Sequence, residues 1–259
     1  MINIYDEVEY AQKILSDGFI TRRKIYELSI LSKYYHSQGK SKKEIFDLLV
    51  EFCDEHMENF NKILYFDKLN SIVNTGKNIP IKRVKYIGIN KNDMDIIDSL
   101  PNIELKKVLT TIIVMCKIKH ETTGGRYVNN KYSNLSRISN IRTTSKIRNL
   151  LFELVNLGFI NICINGAIEY LGEITDDNDY LFTVKDFNNI GLYLMNYTNH
   201  KYIECSECGR MMRKKNNSNK FCTECAKKRH RMSKLKYYYQ NQNLNPRHSE
   251  NENQASETQ

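Results

Sequence analysis

Two CxxC pairs stand in the C-terminal part of this chain, Cys205 with Cys208 and Cys222 with Cys225. A thiolate is a soft ligand, and a spacing of two residues lets one tight turn present both sulfurs to a single ion. Two such pairs complete a tetrahedral shell for one structural Zn2+ and leave no open position for a substrate or a reactive water. His230, five residues past Cys225, is not needed as a ligand. Gly209 directly after the first pair suits the turn, because a residue without Cβ enters positive φ at no steric cost. The intervening "MMRKKNNSNKF" is long enough for a short hairpin with Asn216, Asn217 and Ser218 at its tip, and the second pair opens a helix, "CTECAKKRHRMSKLKYYYQ". The other three of the seven cysteines, Cys53, Cys116 and Cys163, are single and flanked by apolar residues, so they are expected to serve as small buried hydrophobes. Clustered pairs in a reducing cytosol read as metal ligands before they read as disulfides.

Charge gathers around the same thiols. Residues 201–239 hold twelve Lys/Arg against three Glu, a local excess that equals the +9 of the whole 259-residue chain. Such an asymmetry points to a polyanionic partner at this end. Arg213, Lys214 and Lys215 fall on the expected hairpin, and Lys227, Lys228, Arg229, Arg231, Lys234 and Lys236 on the expected helix. Cations placed on phosphates release condensed counterions, which drives salt-sensitive binding to DNA or, by the same chemistry, to RNA. Tyr237, Tyr238 and Tyr239 add faces on which unpaired bases stack.

The elements that carry this segment are mainly helical. Residues 1–80 read as an N-terminal helical domain. In it Ile14 and Leu15 close a first helix before Gly18; Thr21 caps a second with Ile25, Leu28, Leu31 and Tyr35 at helical spacing. Ser41 and Glu44 form a capping box before a third, and a fourth runs over about 61–74. After Pro80, "IKRVKYIGI" is a short strand or connector, 93–100 a short helix, and 103–119 a longer helix with Leu105, Val108, Leu109, Ile112, Ile113 and Cys116 on its buried side. Leu135, Ile138 and Ile141 mark a further short helix, "RTT" a turn, and Thr143 or Thr144 the cap of a helix whose Ile147, Leu150, Leu151 and Leu154 face inward. Alternation from Ile160 to Ile164, the Asn165-Gly166 turn and a return over 167–171 make a β-hairpin, with "YLFTVKDF" as a third strand after the turn-rich 176–179. Helix, helix, turn, helix, hairpin is the order of a winged helix, assigned to residues 90–199. Its second motif helix presents Thr143, Thr144, Ser145, Lys146, Arg148 and Asn149 outward near its N-terminus, flanked by Arg137 and Arg142. These are the residue types that a recognition helix places in the major groove. The acidic run at the end of the wing argues against phosphate contact there.

The expected fold class is therefore mainly α with a small β-wing (α+β): helical domain 1–80, winged helix 90–199, finger with basic helix 203–239, and a tail, 240–259, that lacks apolar anchors and is expected to be disordered. The stretch "IECSECGRMMRKKNNSNKFCTECAKK" resembles treble-clef and zinc-ribbon fingers. Together with "SNLSRISNIRTTSKIRNLLFELVNLGFI" it resembles small DNA-binding proteins of bacteriophages and other mobile elements of low-GC Gram-positive bacteria. That resemblance implies a role in transcription regulation or replication, and is compatible with a homodimer.

No apolar run approaches the roughly 20 residues that span a bilayer, so a cytoplasmic protein without a membrane partner is expected. No phosphate loop, paired His spacing or two-metal carboxylate set is present, and neither catalysis nor a small-molecule substrate is expected. Glu51, Asp54, Glu55, His56 and Glu58 read as a solvated helix end. Two other classes fit the same motifs: a protein-interaction module that antagonises a host system, and a metal-dependent nuclease or primase accessory factor.

Overall fold

The computed structural model describes residues 3–129, 131–175, 179–216 and 219–244, and the chain divides into two compact units, residues 1–200 and 201–259. The first unit opens with four helices, α1 Glu7–Asp17, α2 Lys24–Ser37, α3 Lys42–His56 and α4 Lys62–Gly76. They share an apolar core of their own that includes Ile14, Leu28, Leu31, Leu49 and Leu69. The expected capping box is present: Ser41 Oγ accepts the Glu44 N–H, and the Glu44 carboxylate accepts the Ser41 N–H at 2.8 Å.

The expected cap of the second helix is displaced. Helix α2 begins at Lys24, and Thr21 instead accepts the Arg23 N–H at 3.1 Å. The cause is Glu27, whose buried carboxylate accepts the N–H groups of Ile20 (2.9 Å) and Thr21 (2.8 Å) and the Tyr10 hydroxyl (2.9 Å). Three donors offset the cost of burying the charge and fold residues 20 and 21 back over the helix start. Burial first, and then the Glu27 carboxylate, push the Tyr10 hydroxyl far above its ordinary pKa.

The chain continues with β1 Ile87–Asn90, α5 Lys91–Asp98 and α6 Ile103–Thr123. Then come β2 Tyr127–Val128, α7 Tyr132–Ile138, α8 Thr144–Asn156, β3 Ile160–Ile162, β4 Ile168–Tyr170, β5 Tyr180–Val184 and α9 Ile190–Asn199. Helix α6 is the hub. It was expected to bury one side, yet every residue from Val108 to Ile118 is buried, because α8, α9, β1 and β4 all pack around it. Thr110 and Thr111 tolerate this by donating to the carbonyls of Lys106 and Lys107 at 2.7 and 2.8 Å. Lys117 is carried into the interior, where it pairs with Asp93 and donates to the Gly88 carbonyl at 3.1 Å. This buried ion pair ties α5, α6 and β1 together.

The expected hairpin forms as β3 and β4, with Ile160 opposite Tyr170 and Ile162 opposite Ile168, but its turn takes three residues, 164–166, where Asn165-Gly166 was expected as a two-residue turn: the Cys163 N–H donates to the Ala167 carbonyl at 2.8 Å. A third strand joins it that the sequence pattern does not announce: two-residue β2 pairs with the outer edge of β4, giving the order β2-β4-β3. The stretch expected as a third strand, β5, pairs instead with β1 in a separate antiparallel ribbon, Ile87 opposite Val184. Gly88 is required there, since a Cβ on it would lie 2.0 Å from the Tyr180 ring. The fold is mixed helix and small antiparallel sheet. Among the described residues no helix is long and apolar enough to cross a membrane.

The second unit contains the ribbon β6 Tyr202–Glu204 with β7 Met211–Arg213 and the helix α10 Thr223–Leu244. Helix α10 runs past the expected limit at 239. The remainder of the expected tail, 245–259, lies outside the described residues, as do Asn217 and Ser218 of the hairpin tip and 176–178 of the wing.

Gly191, in the first turn of α9, is backed by the Ser139 carbonyl, which an added Cβ would approach to 2.1 Å. Backbone cannot yield as a side chain does, so Gly191→Ala is expected to destabilise the first unit by about 1–3 kcal/mol, read as a lower midpoint in denaturant unfolding.

Candidate metal centre and basic surface

Each cysteine of the C-terminal cluster is delivered by a specific turn. Strand β6 leads into Cys205, whose N–H donates to the Arg210 carbonyl and whose carbonyl accepts the Gly209 N–H, both at 2.9 Å. Closing that knuckle needs the positive φ of Gly209, +69°. Cys222 precedes the first residue of α10 and Cys225 lies in its first turn, with the Ala226 N–H reaching the Cys222 carbonyl at 2.9 Å. The four sulfurs converge within 4.8 Å of one another, and Cys208 Sγ lies 3.7 Å from Cys222 Sγ. A tetrahedron with metal–sulfur bonds of about 2.3 Å has edges of about 3.8 Å, so the donor set fits a single ion.

The surroundings favour the thiolate at Cys205. The Cys222 N–H donates to Cys205 Sγ at 3.3 Å and the Cys225 N–H to Cys222 Sγ at 3.5 Å. Burial works to raise the Cys205 thiol, but backbone N–H groups of Cys222, Cys208 and Glu207 outweigh it and bring the pKa down to about 6. Cys208 and Cys225 move upward, through burial first and then through the neighbouring sulfurs. Four negative sulfurs this close need a cation among them, and with all four positions filled by protein the site is structural in character.

The basic residues around the cluster fall into two groups. Arg210 is held by Glu224 at 2.9 Å, and Arg229 lies over the Phe221 ring at 4.3 Å and 3.8 Å from Glu207. These internal contacts engage Arg229, one of the expected phosphate-binding residues. Arg213, Lys214 and Lys215 at the end of β7, and Lys227, Lys228, Arg231 and Lys234 on α10, are exposed. Lys227, Arg231 and Lys234 recur at spacings of four and three and so line one face of α10. Tyr237, Tyr238 and Tyr239 are exposed as well.

The second set of candidate residues lies in the first unit. Thr143 is the cap of α8, accepting the Lys146 N–H at 3.3 Å, and Thr144, Ser145, Lys146, Arg148 and Asn149 are exposed beside it. Three of them already have partners: Ser145 Oγ lies 3.4 Å from Thr143 Oγ1, Lys146 pairs with Glu104 at 2.7 Å and Arg148 lies over the Tyr132 ring at 5.5 Å. Arg137 donates to Asn134 at 2.7 Å and to Asn188 at 3.1 Å. Glu51, Asp54, Glu55 and Glu58 are exposed, and among the described residues the four cysteines are the one cluster suited to a metal. Of the single cysteines, Cys53 and Cys116 are buried, with burial pushing both thiols up to about 11, while Cys163 is only partly covered. Sequence reasoning passed over Phe221; an aromatic residue directly before a CxxC pair was the available signal.

The chain matches no protein-family model, no curated protein and no solved structure. The residues of the site carry the functional reading by themselves.

Replacing one ligand tests the cluster. Cys222→Ser is expected to abolish stoichiometric metal, measured by elemental analysis of the purified protein, and to broaden amide resonances from residues 201–244 while those of the first unit keep their positions. Full metal content in this variant would contradict a four-thiolate site.

Proposed function

We propose that this chain is a DNA-binding protein of a phage or mobile element, acting in the bacterial cytoplasm in transcription regulation or replication, with one structural Zn2+ on Cys205, Cys208, Cys222 and Cys225. The observation that carries the reading is the placement of the charge: the positive excess sits on a small unit organised by four cysteines, with Arg213, Lys214, Lys215, Lys227, Lys228, Arg231 and Lys234 exposed. Zinc is the assignment because four thiolates in a closed shell are its characteristic structural environment. A non-catalytic role accords with that closed shell.

The first unit supports a winged helix as a second contact surface. Helices α7 and α8 are joined by a short turn, the β3–β4 hairpin follows, and β2 completes the sheet on the other edge of β4. The exposed hydroxyls of Thr143, Thr144 and Ser145 and the amide of Asn149 suit base edges and phosphates. A second reading, protein docking, is favoured for this surface by the engagement of Lys146 and Arg148 within the unit and by exposed apolar groups on and just beyond the same helix, Phe152 at 66% and Leu157 at 48%.

Salt separates the two. Duplex binding is expected to weaken steeply between about 50 and 200 mM salt, and replacing Lys227, Lys228 and Lys234 with Gln to lower the slope of log K against log salt by about one per lost phosphate contact. An unchanged slope would remove α10 from the interface. Asn149→Ala is expected to leave that slope alone and to change relative affinity among duplex sequences by about 1–3 kcal/mol, measured by competition binding.

A further inference from the structure

A groove of about 760 Å3 is cut into the second unit between β7 and the start of α10. Arg210, Arg213, Lys215, Lys227 and His230 line it, and Phe221 and Met212 contribute apolar surface. Its one acid among the described lining residues, Glu224, is already satisfied by Arg210. Arg229 does not line the groove but lies over the Phe221 ring, which braces the ring in place.

This combination selects for a particular ligand chemistry. A run of cations alone would serve any phosphate backbone and would need no concavity. A concavity of several hundred Å3 with an aromatic ring inside it has room for a flat heterocycle as well. In a duplex the base faces are stacked on one another and only base edges and the backbone are presented outward, so a base can lay its face on Phe221 only from an unpaired nucleotide. We propose that the groove takes one unpaired nucleotide of a single strand, its base against Phe221 and Met212 and its flanking phosphates on Arg213, Lys215 and Lys227. The assignment rests on the nucleic-acid reading of this unit and adds to it a strand state: the finger engages a melted or single-stranded segment, a role distinct from reading duplex sequence. The exposed Tyr237 and Tyr239, farther along α10, extend the supply of stacking faces beyond the groove.

The chain contains no tryptophan, so Phe221→Trp places a single indole reporter in the groove. The variant is first checked for stoichiometric metal. Decadeoxyuridylate and decauridylate, which differ only in the sugar, are then titrated at low salt, beside a blunt duplex and inorganic phosphate, while binding of labelled strands to the unmodified protein is followed by anisotropy. Saturable loss of most indole emission with either oligonucleotide, along the same isotherm as the anisotropy, and none with duplex or phosphate, is the expected result; which oligonucleotide acts identifies the sugar. Oligonucleotide binding without quenching would overturn the groove assignment and leave the nucleic-acid reading intact. Failure of the unmodified protein to bind any strand or duplex would overturn both. Should the variant lose its metal, photocrosslinking of the unmodified protein to 5-iodouracil strands replaces it: adducts on Phe221, Met212 or His230 support the groove, and adducts confined elsewhere overturn it.

Discussion

Four sulfurs gathered within 4.8 Å set the terms for the whole second unit. Thiolates at that distance repel unless a cation lies among them, so an ion held there would couple folding of the unit to its binding. Among its described residues the unit buries only Cys205, Met211, Cys222 and Cys225. That is far too little apolar area to order a ribbon and a helix by hydrophobic burial alone. The two knuckles supply the order that a core would otherwise impose. Gly209 turns the chain after β6, and the start of α10 supplies backbone N–H donors to the sulfurs. Because no large core has to be covered, the exposed positions of β7 and α10 are free to carry charge.

The first unit is held by the opposite means. Helix α6 is enclosed along its middle by two helices and two strands, and what polar groups it brings inside are satisfied locally, the threonines by the preceding turn and Lys117 by Asp93. A pair of this kind contributes little net stability over apolar packing, but it penalises any arrangement that separates its partners. It therefore specifies how α5, β1 and α6 come together, and with them the platform from which α7 and α8 project.

Internal pairing distinguishes the cations from one another, although the paired ones stay largely exposed. Arg210 and Arg229 belong to the basic segment by count, yet Glu224, Glu207 and Phe221 engage them. Lys146 and Arg148 are similarly held on α8. What remains open is a face of α10 and the end of β7, together with the groove between them, and in the proposed function this remainder is the part that grips a polyanion. The held arginines act instead as braces, fixing the ring and the helix start against which a ligand would rest.

Much of this was legible in the linear chain wherever a local rule sufficed. The CxxC spacing, the Gly209 turn, the Ser41 capping box, the Thr143 cap and the β3–β4 hairpin each depend on residues only a few positions apart, and each is found in place, although the hairpin turn takes one residue more than expected. The larger misses are long-range. Glu27 moved the start of α2 because Tyr10 and two amides lie near it in space; β2 is too short to show a period and pairs along an edge of β4; β5 pairs with β1, far earlier in the chain, where Gly88 leaves room for the Tyr180 ring. The order of residues along the chain by itself determined that positive charge would be concentrated beside the thiols. Only the tertiary structure decided which of those charges have a partner within the unit, because that depends on the acid or ring that the fold brings within a few ångströms of each cation.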